Sequence, residues 1–213
     1  MERGRWLPKA ANLDGEENGV RLTESALGQW VLSLRPSKTL HQAAEGELLR
    51  FPERGSSRRV QVWEELPVAG ISVDDAEAYL AWLRKSGRMP SARLCTEHEW
   101  ERAARGADDR TYPMGDKLAT EDANFDLTYG RSEQEFGPDE IGRHPASRSP
   151  FGVDDLSGNV AEWTRNVVNP AEPKLRGGSW YQDRAMAYVN NRQPATRQMK
   201  NLLIGLRVCA SIP

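Results

Sequence analysis

Gly152-Val153-Asp154-Asp155-Leu156-Ser157-Gly158-Asn159-Val160-Ala161-Glu162-Trp163 is the run on which the reading of this chain turns. Two shorter runs follow it, Arg176-Gly177-Gly178-Ser179-Trp180 and Ile204-Gly205-Leu206-Arg207-Val208. Together they put glycine-punctuated turns, two tryptophans and a carboxylate into the last third of the chain. Glycines at such spacing mark backbone that takes positive φ or lies close against another segment. Long irregular loops held in that way usually carry a site.

Outward from these runs, the bulk numbers set bounds. A chain of 213 residues can bury one good core or two small ones, and one domain is expected because no Gly/Ser- or Pro-rich linker divides it. With 29 basic against 31 acidic residues, the net charge of −2 gives no electrostatic reason to expect nucleic acid or an anionic membrane as partner. No apolar run approaches the ~20 residues that span a bilayer. Met1-Glu2-Arg3-Gly4-Arg5-Trp6 lacks the apolar core of a signal peptide. Cys95 and Cys209 do not make a disulfide framework; each is expected to pack as a small apolar residue in a reduced, cytoplasmic protein.

Two helices are legible. Ser72-Val73-Asp74-Asp75 starts like a capping box, and Val73, Ala76, Leu80 and Leu83 recur at steps of three and four until Gly87 and Pro90. Thr96-Glu97-His98-Glu99 is a full T-x-x-E box before Trp100, Ala103 and Ala104, and Gly106 ends that helix. Leu22, Ala26, Leu27, Trp30 and Val31 suggest a further short helix over 23–34, stopped by Pro36. Strands are expected over 60–63, 160–163, 174–176, 179–181 and 206–210. Residues 107–150 read as a long ordered loop, anchored by Tyr112, Phe125, Tyr129, Phe136 and Ile141. The expected class is α+β: two main helices, small antiparallel sheets and much irregular loop.

Seven pieces, in order over two thirds of the chain, carry a resemblance to the formylglycine-generating enzyme (sulfatase-modifying factor) family. They are P-V-A-G-I-S-V-D-D-A-E-A-Y (67–79), R-L-C-T-E-H-E-W-E-R-A-A-R-G (93–106), Y-P-M-G-D (112–116), A-N-F (123–125), F-G-V-D-D-L-S-G-N-V-A-E-W (151–163), R-G-G-S-W (176–180), and N-N-R with I-G-L-R-V (190–192, 204–208). The resemblance implies a variant of the C-type lectin fold. It makes residues 67–213 the domain proper and residues 1–66 its divergent or truncated N-terminal part, because the Met-Gly turn and T-N motif expected before the first helix are not found there. A second chain completing that part is one reading of the departure.

The same resemblance raises three chemical questions. The enzymes hold copper with a cysteine pair just after the G-G-S-aromatic turn, and those positions fall here on Gln182 and Ala187. A sulfoxide-synthase branch uses three histidines on iron; His41, His98 and His144 have no ligand spacing. Neither copper nor iron is expected. Calcium is, because a hard cation wants six to eight oxygens. One site is implied at Asp155, Gly158, Val160 and Glu162, and a second at Asn124 and the Phe125 carbonyl with an acidic segment near 133–136. The plainer alternative is that Asp155 and Glu162 accept hydrogen bonds within the loop.

In this fold the binding surface is built by the loops after R-G-G-S-W. Trp180, Tyr181, Gln182, Arg184, Tyr188, Asn191, Arg192 and Arg197 lie there, and flat aromatics beside amides and guanidinium groups suit a protein, peptide or small polar ligand. Trp180 and Arg192 also read as structural, the first in the core and the second paired with a carboxylate such as Glu162. The leading expectation is a non-catalytic binding module, of the kind the family also fuses to bacterial signalling kinases. A modifying oxidoreductase with a rearranged or cofactor-free site is one alternative. A lectin-like receptor with hypervariable C-terminal loops is another.

Overall fold

The computed structural model describes residues 18–55 and 58–211. The chain opens with β1 (Gly19–Glu24), β2 (Trp30–Arg35) and β3 (His41–Ala44), a three-stranded antiparallel sheet in sequence order. The helix expected over 23–34 is therefore a hairpin. Two periodicities compete in that stretch, and the two-residue one wins: Val20 faces Leu34 and Leu22 faces Leu32 across the ladder, with both β2 leucines buried. Gly28, at φ +75°, turns the chain where a helix would have continued.

β4 (Leu48–Arg50) and β5 (Val60–Val62) pair antiparallel. Next come α1 (Val73–Lys85), β6 (Arg93–Leu94) and α2 (Glu97–Arg105), both helices with the expected boundaries. Ser72 Oγ accepts from Asp75 N at 3.1 Å while Asp75 Oδ2 accepts from Ser72 N at 3.0 Å. Thr96 and Glu99 repeat the pattern at 3.2 and 2.9 Å. Arg93 grips Glu99 at 2.7 and 2.6 Å, and that guanidinium holds the carboxyl down at about 2. A cap of this kind is worth about 1 kcal/mol. Ser72→Ala is accordingly expected to lower the urea-unfolding free energy by about that amount without changing the slope; no change would show that α1 does not depend on its cap.

The remaining strands are short. β7 (Ala161–Thr164), β8 (Lys174–Arg176) and β9 (Gln193–Pro194) run antiparallel to their neighbours, and β10 (Ile204–Gly205) joins β7 in parallel. β11 (Val208–Cys209) pairs with β6. Residues 179–181, expected as a strand, form a turn, and the expected strand over 206–210 is confined to β11.

Among the described residues the two largest of four buried clusters form between these layers. The α1 face of Val73, Ala76, Leu80 and Leu83 packs on Leu94, Trp163, Leu175 and Ile204. Leu32, Leu34, Leu49 and Phe51 pack on Phe136, Val160, Trp180 and Leu202, so strands from the first third share a core with loops from the last. Burying each large apolar side chain there stabilises by roughly 1.5–3 kcal/mol.

The cysteines correct an expectation. Cys95 and Cys209 do not pack as separate thiols; they form a disulfide, with Cα atoms 5.0 Å apart and a sequence separation of 114. The β6–β11 ladder brings them together, pairing Leu94 with Val208. Among the described residues no helix is long and apolar enough to cross a membrane.

Candidate functional site

The Ser157-Gly158-Asn159 turn is a hub. Gly158 N donates to Gly177 O at 2.8 Å, Asn159 N to Asn124 O at 2.7 Å, and Trp180 N to Asn159 O at 2.9 Å. The Asn159 side chain clamps the backbone of Asp139, accepting from its N at 2.9 Å and donating to its O at 3.0 Å. Only glycine fits before it: a Cβ on Gly158 would lie 2.2 Å from Asn124 O, and φ is +76°. Three motifs far apart in sequence thus meet at one turn.

The loop beyond Trp180 hangs from this hub. Trp180 is buried, its ring 5.8 Å from Phe136 and 6.0 Å from Tyr181, so it is a core residue. Tyr181 is half exposed and meets the edge of Phe136 at 5.3 Å. Gln182 donates to Gln193 at 2.9 Å and accepts from Ser179 at 3.2 Å. Arg184 is exposed, with its guanidinium 5.5 Å over the Phe125 ring. Tyr188 is exposed and packs edge-on to Tyr112 at 5.3 Å; burial, and then Tyr188 itself, push the Tyr112 hydroxyl up to about 12. Tyr181, Arg184 and Tyr188 are therefore the outward-facing members of the expected set.

The others serve elsewhere. Asn191 donates to Met186 O at 3.0 Å and holds the loop closed. Arg192 pairs with Glu101 at 3.1 Å and Glu97 at 3.8 Å, not with Glu162. Arg197 reaches α1, bonding Asp74 at 3.0 Å and Glu77 at 2.7 Å. At the positions of the family's cysteine pair, Gln182 is hydrogen-bonded and Ala187 is buried against Tyr112, Ala123 and Phe125. His41 bonds Arg50 O at 2.8 Å and His144 bonds Asp139 at 2.9 Å, while His98 is exposed on α2.

In the loops expected to hold calcium, several of the implied oxygens already accept hydrogen bonds. Both carboxylate oxygens of Glu162 are taken: Arg207 donates to them at 2.7–3.1 Å and Trp100 Nε1 donates at 2.6 Å. Asp155 accepts from Gly142 N at 2.7 Å. Burial pushes its carboxyl above the ordinary value, against the Gly142 hydrogen bond and the charges of His144 and Arg207. Asp155, Val160 and Glu162 line one cleft, but Arg207 lines it too. At the second turn the Phe125 carbonyl accepts from Thr128 N at 3.0 Å, and Asn124 donates to Gly137 O at 3.0 Å. Among the described residues Asn124 Oδ1 and Asp126 Oδ1 are left buried there without a hydrogen-bond partner. Two such oxygens are fewer than the six to eight a calcium ion takes.

A buried polar cluster that the motifs did not announce lies behind this second turn. Asp139, fully buried, accepts from Arg54 at 2.8 Å, Gln61 at 3.2 Å, Tyr129 at 2.7 Å and His144 at 2.9 Å. Burial alone would raise its carboxyl; the His144 hydrogen bond and the Arg54 charge outweigh that and hold it below its ordinary value. No sequence motif marks Arg54.

Residues 18–212 match the family described as "Sulfatase-modifying factor enzyme 1-like domain". The "Inactive C-alpha-formylglycine-generating enzyme 2" of Mus musculus is 38% identical over 148 residues, covering 64% of this chain and 44% of that protein. The "Formylglycine-generating enzyme" of Mycobacterium tuberculosis is 37% identical over 112 residues, covering 49% of this chain and 34% of that one. The chain thus spans less than half the length of these relatives. In solved structures, "Treponema denticola variable protein 1" superposes with a TM-score of 0.61 over 95% of this chain and 91% of that one at 17% identity, a likeness of fold alone. That fold is α+β, formylglycine-generating-enzyme-like and C-type-lectin-like.

Proposed function

The chain belongs to the family of sulfatase-modifying factor enzyme 1-like domains, and from that premise we propose that it is a non-catalytic module that binds a peptide or a small polar ligand. One observation carries the reading. Where the oxidases keep two thiolates, this chain has Gln182, hydrogen-bonded to Gln193, and Ala187, buried at 1% exposure. Its two cysteines are joined to each other below α2, in a cluster with Trp100, Ala104 and Leu156. Soft thiolates are what would bind Cu(I). What remains at the surface is Tyr181, Arg184 and Tyr188: two rings with polar tips and a guanidinium, the residue types that dominate recognition hot spots. The mouse relative, described as inactive, supports this reading; the mycobacterial relative, described as an enzyme, supports the alternative.

Two measurements test it. Purified chain supplied with Cu(I), oxygen and a cysteine-containing peptide is expected to consume no oxygen above a metal-only blank; turnover would sink the reading. Peptides selected on the immobilised chain are expected to lose binding at least about tenfold to Tyr181→Ala or Arg184→Ala. Both variants should keep wild-type stability within about 0.5 kcal/mol, since both residues are exposed. Selected binders indifferent to both substitutions would place the binding surface elsewhere.

A further inference from the structure

The turn at 135–139 gathers its oxygens around one point. The Glu135, Gly137 and Pro138 carbonyls and the Asp139 carboxylate all face it, and the Arg54 guanidinium fills it. Nε donates to Glu135 O at 2.6 Å, Nη2 to Gly137 O at 2.9 Å, and Nη1 to Pro138 O at 3.4 Å and Asp139 Oδ1 at 2.8 Å. Arg54 and Asp139 are both fully buried. The Phe51 and Tyr129 rings cover the guanidinium at 3.7 and 4.2 Å, leaving only its edges for hydrogen bonds. Gly137 has no room for a side chain: a Cβ would lie 2.7 Å from Phe51 and 3.2 Å from Arg54 Nη2. Asn124 donates to the same Gly137 carbonyl at 3.0 Å, so this cradle adjoins the Ala123-Asn124-Phe125 turn.

We propose that Arg54 is a built-in cation for this cradle, doing the carbonyl-gathering and charge-neutralising work that the family resemblance assigns to calcium, so that the turn binds no divalent ion. The chemistry suits a guanidinium. It is planar, weakly hydrated and always charged, and its fork of donors matches a slab of acceptors between two rings. A calcium ion seated on these carbonyls would have to approach them to about 2.3–2.6 Å and would face a fixed positive charge. The arrangement also has a consequence at the surface. Phe136, within the cradle, meets Tyr181 edge-on at 5.3 Å, so the arginine clamp fixes the ring on which an outward-facing tyrosine rests.

The test has two independent arms. Arg54→Ala is expected to melt roughly 10 °C below wild type, because it leaves Asp139 buried without its guanidinium partner. Millimolar methylguanidinium should recover part of that loss saturably and leave the wild-type Tm where it was. Arg54→Lys keeps the charge without the fork and should fall between the two. An alanine variant within about 2 °C of wild type, or one indifferent to methylguanidinium, overturns the proposal. The second arm needs no Arg54 variant to fold. Calcium is titrated by calorimetry into the whole chain carrying Asp155→Asn, which removes one of the two carboxylates implied at the other loop. No binding is expected; calcium binding that a further Asn124→Ala abolishes would overturn the proposal.

Discussion

Glu162→Ala is expected to melt roughly 10 °C below wild type, and the loss should be the same in calcium as in a chelator. The magnitude follows from what the carboxylate holds. Arg207 bonds both of its oxygens and Trp100 Nε1 bonds one, with the Glu162 side chain only 7% exposed. Removing one partner of such a buried pair leaves the other charge uncompensated, at a cost of about 3–5 kcal/mol. In a domain of this size each kcal/mol is about 2–4 °C of Tm. The Arg207 side chain is 29% exposed, so water recovers part of its charge, and the lower half of that range is the better expectation. Arg207→Met orphans the more buried Glu162 and should cost at least as much, and the double variant less than the sum, with a coupling of at least about 1 kcal/mol. The family resemblance implies Glu162 as a calcium ligand; in the structure its oxygens accept from Arg207 and Trp100. The chelator control separates them. If the wild-type Tm rises with calcium and the variant's does not, the ligand reading is restored.

How far the sequence could be read depends on the range of the interaction. The capping boxes at Ser72 and Thr96 were legible because each is closed within four residues. The buried faces of α1 and α2 followed from their spacing. The motif order from Pro67 to Val208 gave the fold by resemblance, though none of the pieces alone says which turns touch. The misses are all nonlocal. Leu22 to Val31 fits a helix until the pairing of β1 with β2 supplies the competing partner. Arg54 carries no motif; only Phe51, Tyr129 and Asp139, up to 85 residues away, make it a core residue. Arg197 follows the expected binding loop in sequence yet folds back onto α1. Of the expected binding set, Tyr181, Arg184 and Tyr188 keep an outward position, with the Arg184 guanidinium over Phe125 and Tyr188 edge-on to Tyr112.

Reduction of the Cys95–Cys209 bond is expected to lower stability by about 2–5 kcal/mol, read as a drop in Tm on adding dithiothreitol or in the Cys95→Ala/Cys209→Ala double variant. The bond closes a loop of 114 residues, long enough that chain entropy alone puts the effect near the top of that range. Native contacts that persist after reduction bring it down: Leu94 still pairs with Val208, and Cys95 remains in a buried cluster with Trp100 and Leu156. The position of the bond matters more than its size. Cys209 is two residues beyond Arg207, so the disulfide fastens the strand that delivers the guanidinium to Glu162. The two predicted losses should therefore overlap. Reducing Glu162→Ala should cost measurably less than reducing wild type, because the segment the bond restrains has already lost its charged anchor. The same coupling makes the compartment consequential: a reducing cytosol would leave two thiols, and an oxidising one would keep the strand pinned. Equal melting temperatures for oxidised and reduced wild-type protein would show that β11 holds Arg207 in place without the bond, and would remove the physical basis for expecting this chain to differ between the two settings.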